Sequence, residues 1–227
     1  NVYKNVYAFI TPSEFLKNKL SLNGFEEKRI HCIPTFTASK TTIGEPQIGS
    51  YGLYFGRVTE EKGVETVIKA YEKLPEYTVK IMGDDTTDEA KRLKKYVKDH
   101  KMKNVEFLGF KSGEELEDII KGARFTLIPS IWYDNLPNTA LESFQYSKPV
   151  IASNIGSLPE LVSDGENGYL FEPSNVEDLI KKIKMLDDDI LVKKMGQASR
   201  KRLENRFAPQ SHYEALMKIF NEAVKNR

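Results

Sequence analysis

Two acids and two bases hold most of the chemical possibility in this chain. The segment "IWYDNLPNTALESFQYSKPVIAS", residues 131–153, sets Asp134 and Glu142 eight positions apart, on either side of Leu136-Pro137-Asn138. Proline is tolerated in the first turn of a helix, where its missing N–H would have no intrahelical acceptor, so a helix is expected to open near Pro137. The leading amides from Leu136 to Thr139 would then face away from the sheet as an anion cradle. Glu142 lies four residues after Asn138 and shares a helix face with it. Its neighbours Ala140, Leu141 and Phe144 are apolar, and a carboxylate in such a surround is costly unless something donates to it. The two hydroxyls of a ribose could do so. Asp134, in the loop ahead, would lie on the other side of the phosphates, near whatever group they carry. The competing reading makes Asp134 a turn residue and Glu142 a solvated helix position.

The bases stand in "GRVTEEKG", residues 56–63. Gly56 lets a ligand approach the backbone closely, and Arg57 and Lys62 bring two positive charges, one a bidentate fork, beside a helix N-terminus. That combination suits a diphosphate, although two solvated charges in a mixed loop would look the same. The spacing is not that of a P-loop, and the G-x-G-x-x-G dinucleotide fingerprint is absent, which counts against a dehydrogenase. Two further turns, Gly83-Asp84-Asp85 and Gly109-Phe110-Lys111, follow apolar runs; each alone is weak and reads equally well as punctuation.

All four segments sit where strands should end. Strands are expected over 7–11, 29–33, 51–55, 78–82, 105–108, 125–128, 149–152 and 168–171. Helices are expected over 13–23, 63–73, 87–100, 112–121, 138–146, 158–163, 175–186, 188–207 and 209–225. Ser13, Ser112 and Ser174, each followed by acids, suggest helix N-termini. Alternation of this kind specifies βαβ units around a parallel sheet of about six strands, with helices on both faces, in a Rossmann-like α/β fold. Ligands of open parallel sheets bind outside the carboxyl ends of the strands, so the four turns share one edge. Residues 35–50 are polar, turn-rich and aperiodic and read as a linker. The expected division is an appended strand and helix over 1–34, the linker, a nucleotide-binding unit over 51–207, and a last helix over 208–227.

Composition removes several classes. With 34 Lys and Arg against 33 Asp and Glu there is no electrostatic case for nucleic acid. A single cysteine, Cys32, excludes an internal disulfide, and the three histidines offer no metal-ligand spacing. No apolar run approaches the roughly 20 residues of a membrane span. A cytoplasmic protein without metal or cofactor is expected, with peripheral attachment to the inner face of the membrane open for a full-length enzyme. The chain opens directly into a strand-like run without an initiator Met, which suggests a piece of a longer protein.

Together, "GRVTEEKGVETVIKA", "IPSIWYDNLPNTALESF" and "SKPVIASNIGSLPELVSDGENGYLFEPSN" resemble the C-terminal half of a retaining GT-B glycosyltransferase of family four. The resemblance runs from about Tyr51 to the end, and "FITPSEFLKNKLSLNGFEEKRIHCIP" resembles the close of that family's N-terminal domain. It implies a nucleotide-sugar donor, with a UDP-, GDP- or ADP-sugar as the open choices. Arg57 and Lys62 would hold the diphosphate, Glu142 the ribose, and Asp134 the sugar. Gly56, Leu136, Pro137, Asn138 and Thr139 would assist, and Gly83, Gly109, Phe110 and Lys111 would line the nucleotide. It further implies metal-free stabilisation of the leaving diphosphate and an acceptor, whether glycan, lipid-linked sugar or small molecule, held by a missing N-terminal domain. The chain is then expected to bind a donor without transferring the sugar. Three departures stand out: Asp134 where the family has Glu, Thr35-Phe36 for Asn-Gly, and Gly156-Ser157 for Gly-Gly. A non-catalytic nucleotide-binding module and a GT-B relative such as an epimerase or phosphorylase are the alternatives.

Overall fold

The computed structural model describes residues 3–37 and 47–225. Most of the expected linker therefore lies outside the described residues. The chain runs β1 (Phe9–Thr11), α1 (Glu14–Leu22), β2 (Ile30–Cys32), β3 (Tyr51–Phe55), α2 (Val64–Glu72), β4 (Thr78–Met82), α3 (Asp88–Asp99), β5 (Val105–Gly109) and α4 (Gly113–Lys121). It continues through β6 (Ala123–Ile128), α5 (Asn138–Gln145), β7 (Val150–Ser153), α6 (Leu158–Leu161), β8 (Gly168–Phe171), α7 (Val176–Met185), α8 (Asp189–Arg206) and α9 (Pro209–Lys225). The strands fall where the apolar runs predict them, with β6 starting two residues early at Ala123 and β1 two residues late at Phe9.

β3 to β8 form one six-stranded sheet in the order β5-β4-β3-β6-β7-β8, every pair parallel. Strands such as "YGLYF" and "VIAS" are apolar because helices cover both faces of such a sheet. One face is filled by Val67, Ile68 and Tyr71 of α2 with Leu93 of α3 and Leu179 and Ile183 of α7. Elsewhere Leu141 and Phe144 of α5 pack with Leu158, Leu161, Leu203 and Phe207. A second, two-stranded parallel sheet pairs β1 with β2. Among the described residues no helix is long and apolar enough to cross a membrane.

Helix starts follow local side-chain chemistry. Ser13 accepts from the Leu16 amide, and Thr87 and Asp188 cap α3 and α8 in the same way. One expected cap is corrected. Ser174 takes a left-handed φ of 63°, so the extended N-cap geometry passes to Asn175, whose side chain accepts from Asp178. Ser112 is the N-cap of α4 as expected, with Glu114 and Glu115 in the first turn, although its hydroxyl makes no cap hydrogen bond.

Residues 3–37 dock on the larger unit through specific bonds. The Glu160 carboxylate accepts from the Glu14 and Phe15 amides at 3.0 and 2.7 Å, satisfying the open end of α1. Returning along the molecule, α9 brings His212 Nδ1 within 2.8 Å of the Pro34 carbonyl, and Phe36 packs on the same ring.

Lys148 is fully buried behind the sheet. Its ammonium donates to the Lys121 carbonyl at 2.6 Å, closing the end of α4, and to Gln47 at 2.7 Å, pinning the chain entering β3. Burial pushes its pKa down from 10.5 to about 8. Lys148→Ala should lower the unfolding free energy by on the order of 2–4 kcal/mol at pH 7, since a cavity and two unpaired carbonyls remain. Between about pH 8 and 10.5 the unfolded wild-type chain holds this proton and the folded chain does not. Wild-type stability should therefore gain on the variant as pH rises through that window. Denaturant titrations of both proteins across it measure the difference.

Candidate functional site

The sheet order reverses direction at β3: β4 and β5 continue to one side, β6 to β8 to the other. Loops leaving β3 and β6 therefore diverge, and a crevice opens beyond their carboxyl ends. A cavity of 590 Å³ occupies that place, lined by Phe55, Gly56, Arg57, Met82, Gly83, Asp84, Phe110, Lys111, Leu116, Thr139 and Glu142.

Glycines at the strand ends build its floor. The Gly56 amide donates to Met82 and the Gly83 amide to Gly109, each at 3.0 Å, which extends the ladder one residue past β3 and β4. A side chain at Gly83 would meet the Gly56 carbonyl at 1.9 Å, so only glycine lets these turns lie so close. Gly109 contributes its carbonyl and a left-handed turn (φ 68°) rather than a wall of the cavity. Beyond it Phe110 is 74% exposed, an aromatic face at the rim.

Arg57 reaches solvent with a side chain 73% exposed, its only near acid being Glu61 at 3.9 Å among the described residues. Glu142 lines the same cavity. Burial raises the pKa of this carboxyl, with no charge or hydrogen bond from the described residues to offset it. It is an acceptor without donors, facing open space. The helix face turned to the cavity is Thr139–Glu142, three apart, and not Asn138–Glu142 as the spacing suggested; Asn138 is exposed.

The amide cradle is smaller than expected. The Leu136 amide donates to Ser157 Oγ at 2.7 Å, and Pro137, which is the N-cap, has no N–H. Leu136 is buried with φ 55°, bending the chain into the helix. Asn138 and Thr139 remain as first-turn amides ahead of any intrahelical acceptor. The departure at Gly156-Ser157 acquires a reason here, since the Ser157 hydroxyl also donates to the Asp134 carbonyl at 2.7 Å. Sequence reasoning missed this role, and missed Phe55, Met82 and Leu116 in the cavity wall. The first two are the last residues of β3 and β4, so strand ends alone could have flagged them.

Lys62 and Asp134 do not line the cavity. They pair with each other beside it, Nζ to Oδ1 at 2.5 Å, with side chains 19% and 13% exposed. The buried Ser130 hydroxyl donates to the second Asp134 oxygen. This meeting depends on Gly63, whose left-handed φ of 66° ends the short turn over Glu60–Lys62 and lets it touch the loop after β6. The Ile131 amide donates to Glu61 at 3.0 Å across that contact.

A parallel sheet in this order, with a crevice at its reversal point, is the Rossmann-like arrangement of one half of a GT-B fold. The sequence profile of the family described as glycosyl transferases group 1 matches residues 39–202, and the chain belongs to that family. It is 30% identical over 220 residues to the uncharacterised glycosyltransferase MJ1178 of Methanocaldococcus jannaschii, covering 96% of this chain and 60% of that protein. To the glycogen synthase of Mycobacterium tuberculosis it is 29% identical over 196 residues, 84% of this chain and 46% of that one. The chain thus spans about half the length of these relatives. Among solved structures, a glycosyltransferase from Rickettsia africae superposes with TM-score 0.88 at 22% identity, over 100% of this chain and 67% of that one. Anabaena HepE, crystallised with UDP and glucose, gives 0.84 at 19%, over 95% and 63%. At these identities the solved structures speak for the fold alone.

A Cβ at Gly63 would sit 2.1 Å from the Pro129 carbonyl, whereas one at Gly24, also left-handed at φ 87°, meets nothing within 4 Å. Gly63→Ala should therefore cost about 2–4 kcal/mol, strain plus overlap, and Gly24→Ala only about 1–2. Equal losses in denaturant titrations would mean that the loop contact is not close.

Proposed function

We propose that this chain is the donor half of a retaining glycosyltransferase and that the crevice takes a nucleoside diphosphate-sugar. One observation carries the reading. A single cavity is lined by a solvent-facing guanidinium and by a half-buried carboxylate short of donors among the described residues. A nucleotide diphosphate supplies both needs, an anion for Arg57 and a ribose diol for Glu142.

In this reading Arg57 and the Asn138 and Thr139 amides grip the diphosphate, with Lys62 joining from beside the cavity. Phe110 covers the base over Phe55, Met82 and Leu116. Asp134 accepts from hydroxyls of the sugar. When the bond between the anomeric carbon and the diphosphate oxygen breaks, the electron pair leaves with the diphosphate. Fixed cations and amides aimed at those oxygens stabilise the charge as it grows. An acceptor hydroxyl bonds to the anomeric carbon with retained configuration and gives up its proton to the departing diphosphate. The acceptor, and the other wall of the centre, belong to an N-terminal domain that residues 1–34 would finish and that 35–50 would join to 51–207, with 208–227 crossing back. Without it this chain binds donor and does not transfer. The Anabaena neighbour solved with UDP and glucose supports uridine nucleotides as the first ligands to test.

Arg57→Ala should weaken UDP, GDP or ADP binding, whichever the protein takes, by about 1.5–3 kcal/mol, the worth of a charge-assisted hydrogen bond. Calorimetry showing unchanged affinity for all three would sink the donor site.

Glu142→Gln should weaken nucleotide and nucleotide-sugar alike, since both carry the ribose. Only the ionised carboxylate accepts from both hydroxyls. Wild-type affinity should thus fall as pH drops through the raised pKa of Glu142, and the Gln variant should lack that component. Parallel pH profiles for the two proteins would remove Glu142 from the ribose site.

A further inference from the structure

The ion pair of Lys62 with Asp134 sets the two ligand groups of the proposed donor site against each other. Asp134 is held from three sides. Lys62 and Ser130 take its two carboxylate oxygens, and Ser157 takes its carbonyl. Lys62 is equally placed, its backbone amide donating to Thr59 at 3.0 Å just ahead of the Gly63 turn. Neither partner is a mobile surface charge. At 19% and 13% exposure this pair is drier than the Arg57–Glu61 contact, so it has weight that an exposed pair lacks. An anion entering the crevice finds Arg57 available and Lys62 already occupied by a carboxylate.

We propose that the Lys62–Asp134 pair selects nucleotide-sugar over bare nucleoside diphosphate. The inference rests on the donor reading given above. A nucleoside diphosphate that recruits Lys62 must pull it from Asp134 and leaves that carboxylate in a half-dry site with Ser130 as its remaining side-chain donor. A nucleotide-sugar makes the same demand on Lys62 but brings sugar hydroxyls that donate to Asp134 in return. The cost of breaking the pair is offset only when the sugar is present. Once the sugar has been transferred that compensation goes with it. Asp134 then recovers Lys62 and drives out the diphosphate product. Asp134 is thus a specificity-determining residue that acts through the phosphate-binding cation as well as through the sugar.

The selector gives an unusual sign. Asp134→Asn, nearly isosteric, frees Lys62 and should tighten binding of bare UDP, GDP or ADP by about tenfold, while binding of the matching glucose nucleotide does not gain. The ratio of the two affinities should collapse. Removing a negative charge would also attract an anion through space, so the change is repeated in a Lys62→Met background, where the selector predicts no gain. Calorimetry on the 227-residue chain reads all four proteins, with thermal melts as the check on folding. Asp134→Ala should give the same sign, so the result does not hang on one replacement. Unchanged or weaker diphosphate binding in both Asp134 variants overturns the selector, as does a gain that persists without Lys62. If wild type binds none of the three nucleotides, or Arg57→Ala changes nothing, the donor reading itself falls. That outcome is distinct from a selector that fails at an intact nucleotide site.

Discussion

Everything at this site depends on the reversal of strand order at β3. A parallel strand must be followed by a crossover, and crossovers on the same side of a growing sheet crowd one another. Where growth changes direction, between β3 and β6, the loops part and leave ground that no element covers. The cavity, the open first turn of α5 and the solvent-facing guanidinium of Arg57 are consequences of that gap. The Gly56, Gly83 and Gly109 turns then bring three strand ends level, so the floor is backbone and not side chain.

The gap is bridged at one point, by contact between the β3–α2 and β6–α5 loops. Gly63 against Pro129 and the Ile131 amide on Glu61 hold these loops together. Because the bridge sits where Lys62 and the residues before Asp134 emerge, geometry forces cation and acid into contact. The fold thus leaves Arg57 and Glu142 in the lining of one cavity without pairing them, and joins Lys62 to Asp134 outside that lining. Two charged pairs with similar sequence spacing end in opposite arrangements, and the proposed division between gripping a ligand and choosing one rests on that difference.

Much of the fold was legible because a doubly covered parallel sheet writes itself in apolar runs separated by amphipathic helices. "YGLYF", "TVKIM" and "VIAS" could not stand in a half-solvated sheet. The strand-end turns were legible for the same reason, since topology puts all of them on one edge. What stayed hidden was side-chain partnership. Nothing in "IWYDNLPN" says that the Leu136 amide is spent on Ser157, because that serine arrives from another loop 21 residues on. Nor does spacing reveal that Asp134 meets Lys62, 72 positions away. The cap at Ser174 failed on backbone conformation: a left-handed residue cannot present an N-cap hydroxyl, and composition does not report φ.

Two desolvated charges in this protein, one buried and one half-buried, show why desolvation alone does not mark a functional group. Lys148 and Glu142 are both pushed by burial toward their neutral forms. Lys148 delivers its protons to the carbonyls of Lys121 and Gln47, so its hydrogen bonds are spent inside the protein and its work is to hold chain together. Glu142 has the same penalty with nothing from the described residues to set against it, and it faces a cavity instead of a packed core. A fold can tolerate an uncompensated carboxylate because water still reaches it from the open side. In the proposed donor site a ligand would exploit that tolerance, since a diol replacing the water would supply donors already held in place by the rest of the molecule. The distinction therefore lies in where the missing partner would have to come from: for Lys148 it is already part of the chain, and for Glu142 it must come from outside.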